Sequence, residues 1–298
     1  MRVLITGSSG RVGAEIARLV AKSHDVAGLD VVAGSQTTNI GSINDAALVS
    51  DLASGIDAII HTAGLHAPHV GVEPDSAFIA TNVDGTGCLL DAARRHGVGK
   101  FVYTSTTSIY GAAMVARDRA VWVTEELPPI ARDIYDETKL AAEAKCRAAA
   151  SAGMSCVSLR ISRCFPEAGD LMAIYRLHRG VDIRDAAAAH VLALTANING
   201  FDVFNISAAS TFRESECGEL CCDAEKVIAR HYPGVVAAFQ RRGWMLPRHL
   251  DRVYVIEKAQ RVLGYCPRHN FESLFETGEL GLDRQSSIAH NASINSRR

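Results

Sequence analysis

The sequence predicts an α/β protein: a doubly wound parallel sheet with helices on both faces and a small C-terminal lobe. Two observations carry that expectation. Over the first two thirds of the chain, short apolar runs rich in β-formers alternate with longer helical stretches, the pattern of repeated βαβ units. Past about Ser207 the alternation weakens, and aromatic, proline and glycine positions become more frequent. The strands expected, in order, are Arg2–Thr6, Asp25–Leu29, Ala58–Thr62, Lys100–Ser105 and Ser155–Arg160. Between them, helices are expected over Gly13–Lys22, Asn44–Leu52, Phe78–His96 and Asp136–Ser151, the last rich in the strong helix formers Ala, Leu, Glu and Lys. Each helix supplies a right-handed crossover. A helix near Asp185–Thr195 and a strand at Asp202–Ile206 add one more unit to the sheet.

Composition bounds the function. Of 298 residues, 48% are hydrophobic and 21% charged, enough for a sizeable core. The net charge of -2 and the lack of a long basic run leave no electrostatic footprint for nucleic acid or an anionic membrane. A small-molecule partner is therefore expected. No uncharged apolar stretch is long enough to span a bilayer, and a strand-like run begins at Arg2 without a secretory leader, so a soluble cytoplasmic protein is expected. The cluster Cys217, Cys221 and Cys222 lacks paired CxxC spacing, and His66 and His69 have no third ligand in sight, so no metal is expected.

The segment from Thr6 to Gly13 follows an apolar β-run and opens an amphipathic helix, with glycines at 7, 10 and 13. Missing side chains at Gly7 and Gly10 permit a tight turn and close approach of a pyrophosphate to the backbone, while the helix N-terminus offers free N–H groups. Gly13 lets the helix sit close to the sheet. Asp30, at the end of the second β-run, is placed to accept hydrogen bonds from adenosine ribose hydroxyls, and Val31 and Val32 bring no arginine for a 2′-phosphate. NAD is expected over NADP in this Rossmann-type arrangement. A plain turn-capping role is the alternative for Asp30.

Tyr135 and Lys139 lie four apart at the start of a helical stretch, which puts an ammonium beside a phenol on one helix face. That charge is expected to lower the phenol pKa and to fit Tyr135 for proton transfer. The run Phe101 to Gly111 is rich in Ser and Thr and falls at the carboxyl edge of a strand. Together with TGxxGxxG at Thr6–Gly13, His61 to Gly64, Asn82 with Gly85-Thr86, and the segment Leu159 to Glu167, these motifs resemble the extended short-chain dehydrogenases, or NAD-dependent epimerase/dehydratase family, over about residues 1–270.

The resemblance implies a catalytic set of Thr106, Tyr135 and Lys139, with Thr104 and Ser105 as the nearest alternatives to Thr106. It implies cofactor contacts from Gly7, Ser9, Gly10, Arg11, Val12 and Asp30 around the pyrophosphate and ribose, and from Ser42 and Ile43 near the adenine. Ala63, Gly64, Asn82, Thr104, Tyr135, Lys139 and Cys164 complete that set. At the adenine side the chain departs from the pattern, with Gly41-Ser42 where many relatives carry an Asp after glycine. Tyr110 is equally readable as a packing aromatic. His66, Thr107, Arg163 and Arg179 are the substrate candidates, with Arg176 a further guanidinium able to meet a carboxylate or phosphate.

Only Ala168–Leu177 separates Pro166-Glu167 from the run beginning at His178, which leaves little backbone to wrap a second nucleotide. That abbreviation is similar to uronate-dehydrogenase-like members of the family. The favoured reading is an NAD-dependent dehydrogenase of a small polar, sugar-like substrate, with a sugar-nucleotide epimerase or dehydratase second and a non-catalytic NAD(H) sensor third. Residues 1–165 are expected to form the NAD-binding domain, with 181–206 adding to its sheet. Residues 166–180 and 207–282 are expected to form the substrate lobe, and 283–298 a disordered tail. The resemblance also implies a homodimer joined through the helices at Phe78–His96 and Asp136–Ser151.

Overall fold

The computed structural model describes residues 1–276; the expected tail lies outside the described residues. In chain order the strands are β1 (Arg2–Thr6), β2 (Asp25–Asp30), β3 (Asn39–Ile40), β4 (Ala58–His61), β5 (Lys100–Thr106), β6 (Val121–Val123), β7 (Ser155–Ile161), β8 (Phe201–Ile206) and β9 (Arg252–Tyr254). Seven of them form one parallel sheet in the order β3-β2-β1-β4-β5-β7-β8, and β6 pairs with β9 apart from it. β1 and β4 are apolar along nearly their whole length and buried, as strands covered on both faces must be. Chain order reverses between β1 and β4. Their carboxyl ends form the crevice where open α/β sheets take ligands.

The helices are α1 (Arg11–Val20), α2 (Ala46–Ala53), α3 (Asp75–Phe78), α4 (Gly85–Arg95), α5 (Ile134–Ser151), α6 (Gly169–His178), α7 (Ile183–Thr195), α8 (Cys217–Cys222), α9 (Ala224–His231), α10 (Val235–Gln240), α11 (Glu257–Leu263) and α12 (Ser273–Glu276). On one sheet face, Ile16, Ala17 and Val20 of α1 pack with Ala186, Ala189 and Ala193 of α7 against Val3, Ile5 and Ile60. The other face takes Val49 of α2, Leu89 and Ala93 of α4, and Ala142 and Cys146 of α5. A third cluster makes the lobe, with Leu177 from α6, Leu220 from α8, Ile228 from α9 and Phe239 from α10 around Val253 and Phe271.

Three differences from the sequence expectation concern the lobe and the central helix. Ile256, Ala259, Leu263 and Tyr265, expected in the lobe, belong to the core of the main sheet, whereas Ala120 and Trp122 pack in the lobe. Residues 168–177, expected as a short separation within the lobe with no element assigned, are mostly helix α6. The expected helix Phe78–His96 is interrupted by a π-helical stretch at Ile79–Asp84, a feature that often marks functional sites.

Candidate active site

At the end of β1 the chain turns through Gly7 with φ +73°, where only glycine is unstrained. A Cβ on Gly13 would lie 2.0 Å from the Gly7 carbonyl oxygen, so α1 rests directly on the loop. No side chain caps the N-terminus of α1, and no acidic residue stands in its first turn. The amide groups there are left for an anion. This close-packed, uncapped cradle fits a dinucleotide pyrophosphate, and Gly7, Gly10, Arg11 and Val12 are the residues that would hold it. The Gly13→Ala variant tests the fit: its methyl must push the loop aside, and NAD affinity should fall by about tenfold or more. Isothermal titration of both proteins checks the loss; equal affinities would show that the loop yields without cost.

The Asp30 carboxylate accepts the Ser9 N–H at 3.0 Å and the Val32 N–H at 3.1 Å. It therefore caps its own turn, the alternative role for this residue, and braces the glycine loop as well. Ser9 Oγ donates to the Val32 carbonyl at 2.5 Å and meets Thr37 Oγ1 at 2.6 Å, which spends its hydroxyl on the residue 31–37 loop. Arg11 reaches across to the Cys164 carbonyl at 3.3 Å, joining two expected cofactor residues from distant parts of the chain. Ser42 Oγ accepts the Asn44 N–H in the turn before α2, and Ile43 beside it is buried.

β5 and α5 bring the expected catalytic residues together. Asp133 caps α5 by accepting the Asp136 N–H at 2.9 Å, and Arg132 bonds both Asp136 and Ser108 Oγ, tying the start of α5 to the turn at Thr107–Tyr110. The Thr106 side chain lies beside the buried Tyr135 phenol and works to lower its pKa. Thr106 Oγ1 also accepts the Ser108 N–H at 3.1 Å. Ser105, the alternative, is buried with its hydroxyl unpaired among the described residues. Burial outweighs the Thr106 effect and raises the Tyr135 pKa to about 12, which corrects the expectation that Lys139 pulls the phenol down. Lys139 is turned elsewhere: its Nζ donates to the Thr104 carbonyl at 2.6 Å and sits 4.3 Å from the centroid of the Tyr103 ring.

Buried polar groups surround the expected catalytic residues; His61, Thr86 and Asn82 fall within the quoted motifs, whereas His190 carries no motif signal. His190 of α7 takes its place under β5 with Nδ1 on the Ala186 carbonyl at 2.7 Å, so Nδ1 carries the proton and Nε2 accepts the Thr104 hydroxyl at 2.8 Å. His61 is likewise neutral, its pKa held down to about 3 by burial, and links Thr6 at 2.7 Å to Thr86 at 2.9 Å. Asn82 is buried. Its amide holds both Leu65 backbone groups, at 2.8 and 3.0 Å, and Thr138 at 3.1 Å, so it fixes the loop after β4 to α5. A Cβ on Gly64 would lie 2.8 Å from its Oδ1.

Three of the four substrate candidates join one ladder of rings and guanidinium groups. His66, held to a pKa of about 4 chiefly by burial, stacks on Phe165 at 5.7 Å. Arg163 lies over Phe165 and over Tyr175, and Arg179 lies over the Tyr175 ring at 4.5 Å. Glu167 pairs with Arg163, while Arg179 approaches Asp251 only to 3.8 Å. Thr107 is buried in the turn after β5, and Ala63 is half-buried beside the glycine loop. Arg176 is committed to structure: it is buried, paired with Asp182 at 2.8 Å and bonded to the His269 carbonyl. That corrects its candidacy as an anion contact. Among the described residues, no group of three His, Cys, Asp or Glu side chains is placed to hold a metal ion.

Residues 3–171 match the model of the NAD dependent epimerase/dehydratase family. The chain is 27% identical over 319 residues to the UDP-glucose 4-epimerase of Corynebacterium glutamicum, covering 90% of this chain and 92% of that protein. Among solved structures it is similar to a short-chain dehydrogenase/reductase superfamily protein from Agrobacterium tumefaciens with bound NAD, at TM-score 0.70 and 24% identity over 98% of this chain and 100% of that one. A mutated uronate dehydrogenase aligns at TM-score 0.67 and 21% identity, over 93% of this chain and 84% of that one. The two structural likenesses speak for the fold.

Proposed function

The chain belongs to the NAD dependent epimerase/dehydratase family and is an NAD-using enzyme; from that premise we propose a dehydrogenase acting on a hydroxyl or ketone of a small, polar, sugar-like substrate. The observation that carries the reading is the convergence of the Thr106 hydroxyl and the Tyr135 phenol at the end of β5, with Lys139 one turn along α5. NAD, when bound, supplies the hydride acceptor or donor. Tyr135 exchanges a proton with the substrate oxygen, and Thr106 holds that oxygen by a hydrogen bond. Lys139 binds the nicotinamide ribose, and Asp30 the adenosine ribose, where like charge disfavours a 2′-phosphate. His66, Thr107, Arg163 and Arg179 contact the substrate beneath a lobe of residues 166–180 and most of 207–276. Ser9, Ser42, Ile43, Ala63, Gly64, Asn82, Thr104 and Cys164 support the cofactor side.

What favours a small substrate is the short connection from β7 to α7, residues 162–182, whose helix α6 packs Ala173 and Leu177 into the lobe core. The epimerase reading is supported by the near full-length likeness to a UDP-glucose 4-epimerase. A screen following NADH absorbance over free uronates, aldoses, polyols and sugar nucleotides separates them. We expect net NADH formation with a free sugar or sugar acid. Conversion of a UDP-sugar without net NADH would put the epimerase first. Among the described residues no helix is long and apolar enough to cross a membrane. A cytoplasmic setting is part of this proposal, and the family resemblance supports a homodimer joined through α4 and α5.

A further inference from the structure

Tyr103 lies on β5 two residues before Ser105, fully buried against Ala142 and Cys146 of α5. Its hydroxyl has no hydrogen-bond partner among the described residues. What it offers its neighbours is therefore the ring, and the neighbour over that ring is the Lys139 ammonium, 4.3 Å from the centroid. The Thr104 carbonyl takes one of the ammonium's three donors at 2.6 Å. We propose that Tyr103 is a positioning residue for Lys139: its ring face seats the ammonium and keeps it charged beside the Thr104 carbonyl. The inference rests on the reading of Lys139 as the cofactor-binding lysine.

The physical need is plain. Burial disfavours the Lys139 charge and pushes its pKa down to about 7, with Glu143 and Cys146 on α5 working in the opposite direction. The negative face of an aromatic ring is worth most to a cation that has lost its water. The other titratable groups near the ammonium are His61 on β4 and His66 on the loop after it, held by burial to about 3 and about 4, and Tyr135, raised to about 12. Burial also raises the Cys146 thiol, and Glu143 is paired with Arg160. Lys139 is thus the group near the ring whose charge changes close to neutrality. Its ammonium is present below that midpoint and lost above it.

The test measures NADH binding by fluorescence from about pH 5.5 to about pH 9.5, in a Tyr135→Phe background so that no phenol titrates at position 135. Tyr103, Tyr103→Phe and Tyr103→Leu are compared, with Lys139→Met as the control. Tyr103→Phe keeps the ring and should leave the midpoint of the affinity loss in place. Tyr103→Leu should move that midpoint down by about one pH unit, the size expected for losing a desolvated cation–π contact. If Tyr103→Leu does not fold, Tyr103→Met fills the space without a ring. An unmoved midpoint in the ring-less variant, or an equal shift in Tyr103→Phe, overturns the proposal. A step that persists in Lys139→Met overturns the reading of Lys139 itself, and a flat profile in the parent overturns both.

Discussion

Replacing Tyr135 by Phe should lower turnover on the identified substrate by ~10²- to 10⁴-fold while leaving the fold and NADH affinity nearly unchanged. The ring stays packed at the head of α5, whose cap is made by Asp133 and Asp136 rather than by the phenol. What is lost is one oxygen, the group Thr106 stands beside. With its pKa raised to about 12 by burial, the phenol of the cofactor-free protein is protonated at neutral pH and enters as an acid. Acting as a base demands positive charge nearby, so oxidation should speed up as pH rises toward the phenol's value in the loaded enzyme. Thr106→Ala should cut turnover too, and Ser105→Ala should do less, because the Ser105 hydroxyl is buried and it is Thr106 that stands beside the phenol. Steady-state kinetics with NADH titrations check each variant. Near-native turnover in Tyr135→Phe would remove the proton-transfer role and return the non-catalytic sensor to consideration.

Sheet and site were legible to different depths. β1 was readable to the residue, and the ends of β2, β4, β5 and β7 to within one, because strands buried on both faces are short apolar runs bounded by turns. β3 is two residues long and has no run to read. β6 and β9 pair across more than a hundred residues, and nothing local in Val121–Val123 announces a partner at Arg252–Tyr254. For the same reason the lobe boundary was misplaced: Ile256 and Leu263 are apolar in either setting, and only tertiary contact assigns them to the sheet.

In the site, residues tied to backbone chemistry were readable. Gly13 must lack a Cβ beside the Gly7 carbonyl, and Asp30 must lie where β2 ends. The pair Tyr135 and Lys139 followed from helical spacing. Lys139's actual neighbours did not, since Tyr103 and Thr104 come from a strand across the core. His190 carries no signal in its alanine-rich helix, and Phe165 and Tyr175 reveal their ladder only once β7 and α6 are folded beside the loop of His66.

Glu143→Ala should destabilise the protein by about 3–5 kcal/mol, the cost of stranding a buried charge. Glu143 and Arg160 are both nearly inaccessible, with side-chain exposures of 7% and 6%, and the pair is two-pronged: Nε to Oε1 at 3.1 Å and NH2 to Oε2 at 2.8 Å. Burial works against the Arg160 charge, but the Glu143 carboxylate outweighs it and holds that pKa above its ordinary value. Ser158 loses its acceptor at 2.9 Å in the same variant. Arg160 also donates to the Tyr110 hydroxyl at 3.0 Å, which in turn donates to Asn205 Oδ1 at 2.7 Å, and Asn205 holds the Val123 carbonyl of β6. Tyr110 is therefore the middle of a buried network running from α5 to the small sheet of β6 and β9, more than a packing aromatic. Thermal unfolding followed by circular dichroism should show a Tm roughly 6–20 °C lower for Glu143→Ala. The double variant Glu143→Leu with Arg160→Met removes both charges at once and should recover much of that loss, because apolar pairs of similar volume replace buried ion pairs at little cost. Recovery of Tm with NADH affinity still reduced would mean that Glu143 also sustains the Lys139 charge one turn away. A single variant that melts within a degree or two of the parent would show that Arg160 finds other compensation.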